Sequence, residues 1–89
     1  MKSQNTGAIL HELGILRQIV RTVERIAVEK EIREIRHITL EVGRSSGVVP
    51  RYLTKLFPVA ADGCPALEKA KLRIEPVEGS GLFIKEIGY

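Results

Sequence analysis

Residues 37–50, HITLEVGRSSGVVP, decide how this chain is built. Ile38, Leu40 and Val42 alternate with His37, Thr39 and Glu41, and a period of two puts the apolar set on one face of a strand. Gly43 ends that strand and residues 44–47 supply a turn. Pro50 suits the first position of a helix, where its missing N–H would be unpaired anyway. The pattern predicts a switch from period two to period 3.6 between Gly43 and Val49.

Helix and strand patterns continue on both sides of this joint. Upstream, Ile9, Leu13, Leu16, Val20, Val23 and Ala27 recur in steps of four and three, which predicts a long amphipathic helix over residues 9–32. Its start is expected between Ala8 and Glu12 and its end between Glu31 and Glu34. Residues 1–6 are polar and unpatterned, so 1–10 is expected to be a flexible or artificially attached leader and 11–89 a single domain. Downstream, Leu53, Leu56, Phe57 and Ala60 form a shorter stripe in which Pro58 predicts a kink or two short helical pieces. Asp62, Gly63 and Pro65 stop it. Leu72 and Ile74 alternate with Lys71, Arg73 and Glu75 in a strand over 71–77, and 82–87 reads as a last strand with Leu82 and Ile84 inward. A short loop containing Gly79-Ser80-Gly81 separates these two strands, so they are expected to pair as an antiparallel hairpin.

The fold class expected is α/β: a two-layer sandwich in the order helix-strand-helix-strand-strand, with two helices on one face of a three-stranded sheet. On the other face Glu41 and Glu75 should lie near Lys71, Arg73 and Lys85, with Phe83 pointing outward.

At 89 residues, with 44% hydrophobic and 28% charged, the chain can bury a modest core and is not a disordered composition. Its net charge of +3 comes from 14 basic residues interleaved with 11 acidic ones, the pattern of a solvated surface. One cysteine, Cys64, rules out an intrachain disulfide and a four-cysteine zinc site, and favours a cytoplasmic setting. No apolar run approaches the roughly 20 residues that span a bilayer, so no membrane partner is expected. Aromatic content of 4%, without an aromatic pair on a strand or a GxxG turn, argues against nucleic acid. No nucleophile, base and orienting residue occur together, so the chain is not expected to be an enzyme and no catalytic residue is assigned.

Two motifs stand together: His11-Glu12-Leu13-Gly14-Ile15 opening the first helix, and Leu40-Glu41-Val42-Gly43 followed by Ser46-Gly47-Val48-Val49-Pro50. In combination they resemble the HypA family of nickel-insertion accessory proteins for hydrogenase and urease, over residues 11–89. LEKAKLRIEP at 67–76 and FIKEI at 83–87 are similar to the strands entering and leaving that family's zinc module. The resemblance implies a nickel metallochaperone domain, with His11 and Glu12 as the metal residues. It also implies a nickel-enzyme precursor and a maturation GTPase as partners.

The chain departs from that family's pattern in three places. Family members begin Met-His-Glu, so an amine, an imidazole and an amide can surround nickel in the planar geometry Ni(II) favours. Ten residues precede His11 here, and the nitrogen before it lies in a peptide bond. Arg44 occupies a position that is usually acidic, which would put a cation near a metal at His11. Gly79-Ser80-Gly81 stands where the family carries two Cys-x-x-Cys pairs, a composition that suits a designed connector as well as a divergent natural loop. The expectation is therefore impaired nickel binding and no zinc.

The bland readings stand beside these. His11 reads first as a solvated helical histidine, and Glu12 as an acid placed near a helix N-terminus by the macrodipole. His37 and Cys64 have no ligand at motif spacing, and the turn at 43–47 lacks the lysine of a phosphate loop. The alternative function is a metal-free structural or protein-interaction module with the same fold. Its exposed final strand would permit self-association as a homodimer.

Overall fold

Leu16, Ile19, Val20, Val23 and Ala27 share one face of a helix, and burying that face sets the architecture. The computed structural model describes residues 2–89, with side chains from Leu10 onward. Its elements are α1 (Lys2–Glu29), β1 (His37–Gly43), α2 (Pro50–Ala60), a 3-10 turn (Pro65–Leu67), β2 (Lys71–Val77) and β3 (Leu82–Gly88), the order expected from the sequence. One core joins the inner face of α1 to Leu53 and Phe57 of α2 and to Ile38, Leu40 and Val42 of β1. Ile35 and Leu67, in the connections, complete it.

Helix α1 begins earlier than the expected window of Ala8 to Glu12. Its i→i−4 bonds continue back to Lys2 because residues 2–8 hold no proline, and a polar helical turn needs no burial to extend an existing helix. Ile9, counted in the apolar stripe, lies outside the residues whose side chains are described. The other end stops at Glu29, short of the expected 31–34. Glu31 takes a left-handed φ of 57°, its N–H bonds the Val28 carbonyl at 3.2 Å and the Ile32 N–H bonds that of Ala27 at 2.8 Å. That pair of bonds closes a Schellman turn and releases the chain toward β1. Of the two outcomes expected at Pro58, a kink or two short pieces, the second does not occur: α2 is one 11-residue helix, since Pro58 falls in the last turn and removes only the single bond that its N–H would have made.

The largest correction concerns the sheet. Its order is β2-β1-β3, with β1 parallel to β2 and antiparallel to β3, so the last two strands flank β1 and do not form a hairpin. The helix α2 supplies the crossover that parallel strands require. Residues 78–81 then step over the end of β1, a gap of about 10 Å that four residues span with ease. Burial explains the choice: in the centre, Ile38, Leu40 and Val42 are covered from both sides, whereas Leu72, Ile74, Leu82, Ile84 and Ile87 at the edges are half-buried.

Two close fits make this arrangement work. A Cβ on Gly43 would overlap the Gly79 carbonyl and lie 2.9 Å from the Gly81 nitrogen, so the crossing loop passes where glycine leaves room. In β3 the register against β1 pairs Ile87 with Ile38, Ile84 with Leu40 and Leu82 with Val42, and shifts between Thr39 and Leu40. This bulge brings both Ile84 and Ile87 to the core face, where strict alternation would have sent Glu86. On the outer face, Lys85 reaches across β1 to Glu75 at 2.8 Å, and Phe83 points outward as expected.

Candidate functional site

The joint between β1 and α2 meets the early part of α1 through one side chain. Glu12 is 1% exposed, and its Oε2 accepts the Val49 N–H at 2.8 Å. Val49 is the N-cap of α2 but has no oxygen with which to cap, and Pro50 follows it. In a capping box a glutamate two to three residues inside the helix bonds the N-cap N–H; here a glutamate 37 residues upstream does so from another helix. The carboxylate also sits at the positive end of the α2 macrodipole. Its other oxygen, Oε1, is buried with no hydrogen-bond partner among the described residues.

His11, the neighbouring residue, is exposed. Successive helical residues point about 100° apart, so the two candidate metal residues diverge, with the imidazole in solvent and the carboxylate in the core. Their backbone amides lie nine and ten residues into α1, where each helical N–H is spent on the carbonyl four residues back. Among the described residues no three His, Cys, Asp or Glu side chains gather as a metal-holding group.

Most backbone amides of the turn after β1 are committed to structure. The N–H groups of Gly43, Arg44 and Ser45 bond the carbonyls of Gly81, Val77 and Gly79 at 2.7, 2.8 and 2.9 Å. Those of Ser46 and Val48 bond the Gly43 carbonyl and the Ser46 hydroxyl. The first three amides hold the crossing loop, the other two close the turn on itself, and none of the five is free to cradle an anion. Arg44 pairs with Glu78 at 3.2 Å, both side chains exposed.

The other two residues considered sit apart from this joint. The His37 ring packs on Gly88, where a Cβ would overlap it, with Nε2 buried, without a hydrogen-bond partner among the described residues and 4.0 Å from Glu86. Cys64 is buried beside a recess of about 390 Å³ that Phe57, Ala61 and Leu67 also line. Burial pushes its thiol above the ordinary 9.0, and a hydrogen bond to the Glu24 carboxylate pushes it further. A lone, buried, protonated thiol does not fit the thiolate set of a structural zinc site.

Residues 10–82 match the family model described as hydrogenase/urease nickel incorporation, metallochaperone, hypA. The chain belongs to the HypA family. Among similar proteins is the hydrogenase maturation factor HypA of Moorella thermoacetica, 36% identical over 66 residues, which covers 74% of this chain and 58% of that protein. The HypA proteins of Trichodesmium erythraeum and Geobacter sulfurreducens are each 38% identical over 72 residues, covering 81% of this chain and 60% and 62% of theirs. The chain therefore spans about six-tenths of the length of these HypA relatives.

Within this HypA-type domain the motif residues His11 and Glu12 were legible, but the capping role of Glu12 was not. Two signals could have found it. Glu12 stands in the same four-three-four spacing as Leu16, Ile19 and Val23, the fully inward face of α1. The start of α2 also lacks Ser, Thr, Asp or Asn before Pro50, leaving an amide that must find its acceptor elsewhere. No helix among the described residues is long and apolar enough to cross a membrane.

Proposed function

We propose that this chain is the nickel-handling domain of a HypA-like metallochaperone serving hydrogenase or urease maturation, a carrier of metal and not a catalyst. The match over residues 10–82 carries this reading. In it, nickel is cargo, His11 supplies an imidazole, and Glu12 contributes its backbone amide because its carboxylate is engaged by Val49. Delivery proceeds by ligand exchange to a nickel-enzyme precursor, with a maturation GTPase as the second partner. The loop at 78–81 stands in place of the family's zinc module.

Nickel binding is weakened while residues precede His11. Planar Ni(II) takes nitrogen donors, including deprotonated amides, and the amides of His11 and Glu12 can serve only if α1 opens ahead of them. Titration of Ni(II) by calorimetry near pH 7 tests this on the intact chain and on a version beginning Met-His11-Glu12. The expected result is micromolar binding by the shortened form alone, abolished by His11→Ala. Equal binding by the intact chain, untouched by His11→Ala, would overturn the assignment.

The same observation about the amides favours a second reading, a metal-free interaction module, which failure of both forms to bind nickel would support. In that reading the outer edge of β3, unpaired in the sheet, is where a second copy would add. A light-scattering mass that stays at 9.9 kDa across concentration would exclude the homodimer.

A further inference from the structure

The outer face of α1 has a composition unlike the rest of the surface. Leu10, Gly14, Arg17, Arg21, Arg25 and Val28 follow one another at steps of three and four, and all are exposed. This places them in one stripe about 27 Å long at 1.5 Å per residue. The two apolar ends stand well out, Leu10 at 61% and Val28 at 78% exposed. The three arginines between them make no ion pair among the described residues, although Arg44 and Lys85 elsewhere are paired with glutamates. The acidic residues within this span are turned away: Glu12 into the core and Glu24 toward Cys64.

Gly14 gives the stripe its shape. A Cβ there would meet nothing within 4 Å, so no contact inside the molecule requires glycine, and glycine in a helix interior is unfavourable relative to alanine. It leaves a notch between Leu10 and Arg17 at which another backbone can come close. Distances between packed helices are set by the side chains at the contact. A notch, an apolar contact at each end and three cations about 6 Å apart match a helix with acidic residues at i, i+4 and i+8.

We infer that the face of α1 from Leu10 to Val28 is a docking surface for an acidic helix of another protein. A second copy of this chain is disfavoured there, because its own stripe would set arginine against arginine. A phosphate backbone would use the arginines but neither the notch nor the apolar ends, and a membrane would need a continuous apolar row where this face has two residues far apart.

The probe is a blocked, fluorescein-labelled 21-residue alanine-rich helix carrying Glu at three positions four apart and Leu near each end. Its anisotropy is read at 0.1 M salt with metal-free protein, so the outcome is independent of nickel binding and leaves the proposed function standing or falling on its own test. The peptide is expected to bind, and Arg17→Ala, Arg21→Ala and Arg25→Ala combined should weaken it at least tenfold. Gly14→Leu, which changes no charge, should weaken it by about tenfold. Arg21→Glu should lose binding that a peptide with Lys at its central acidic position restores. Circular dichroism confirms that each variant is folded. No binding, undiminished binding to Gly14→Leu, or tighter binding of a 20-base-pair DNA duplex or of phosphatidylglycerol vesicles would overturn the inference.

Discussion

Glu12 breaks the rule that a helix turns its charges outward, and the rest of the joint depends on that break. Burying a carboxylate costs several kcal/mol in lost hydration, and among the described residues one of its oxygens has no partner to offset this. What compensates is a charge-assisted bond to the Val49 N–H, about 1.5–3 kcal/mol, in the field of the α2 N-terminus. Glu12→Ala removes the acceptor, orphans a backbone donor and opens a void, and is expected to cost about 2–4 kcal/mol in urea denaturation. Glu12→Gln keeps an acceptor of the same shape and should stay within about 1 kcal/mol of the parent. If the alanine variant were as stable as the parent, the carboxylate would not be what holds α1 to the start of α2. His11 and Glu12 were both legible as motif residues, but a motif gives adjacency in sequence, and on a helix adjacency means divergence. The period of the apolar stripe, extended back from Leu16, is what separates them.

At the level of elements, local patterns read well and pairing read poorly. Alternation located β1 and β2 because in each the apolar side chains fall on one face and the polar ones on the other, and Pro50 marked the start of α2. The strand order escaped because a short glycine-rich loop serves a hairpin and a one-strand crossing equally well. Only the fully apolar inner face of β1 points to a central strand, and the bulge in β3 leaves its trace as Ile84 and Ile87 spaced three apart. Two glycines test the arrangement with opposite signs. Gly43→Ala pushes a methyl into the backbone of the crossing loop, which cannot move without losing its bonds to Gly43, Arg44 and Ser45, and should cost about 1–3 kcal/mol. Gly14→Ala adds a methyl in open space on a helix and should gain up to about 1 kcal/mol. Thermal melts of the two variants give the comparison directly, and equal shifts would contradict the crossing.

The molecule measures 43 × 28 × 16 Å, and its long axis is the length of α1, about 42 Å for 28 residues. One helical layer covers one side of a small sheet, so a single core and the charges around it set the response to pH. Among the described residues two groups are perturbed upward: Cys64 first by burial and then by Glu24, and Lys85 first by its hydrogen bond to Glu75 and then by the charges of Glu75 and Glu41. In both cases the folded chain holds its proton more tightly than the unfolded one. Stability from each group is therefore full below its unfolded value, 9.0 for the thiol and 10.5 for the lysine, and is lost as pH rises through the higher folded value. Urea midpoints measured from pH 7 to 11 should hold level with respect to these two groups until about pH 9 and then fall, more steeply once Lys85 begins to titrate. Cys64→Ala should lower the midpoint at all pH values for lost packing, yet delay the onset of the fall to the lysine range. Lys85→Met should leave the first phase in place and remove its steepening. The shape of the curve is the diagnostic quantity: an onset near pH 9 that survives Cys64→Ala would mean that the thiol is not held protonated by the fold.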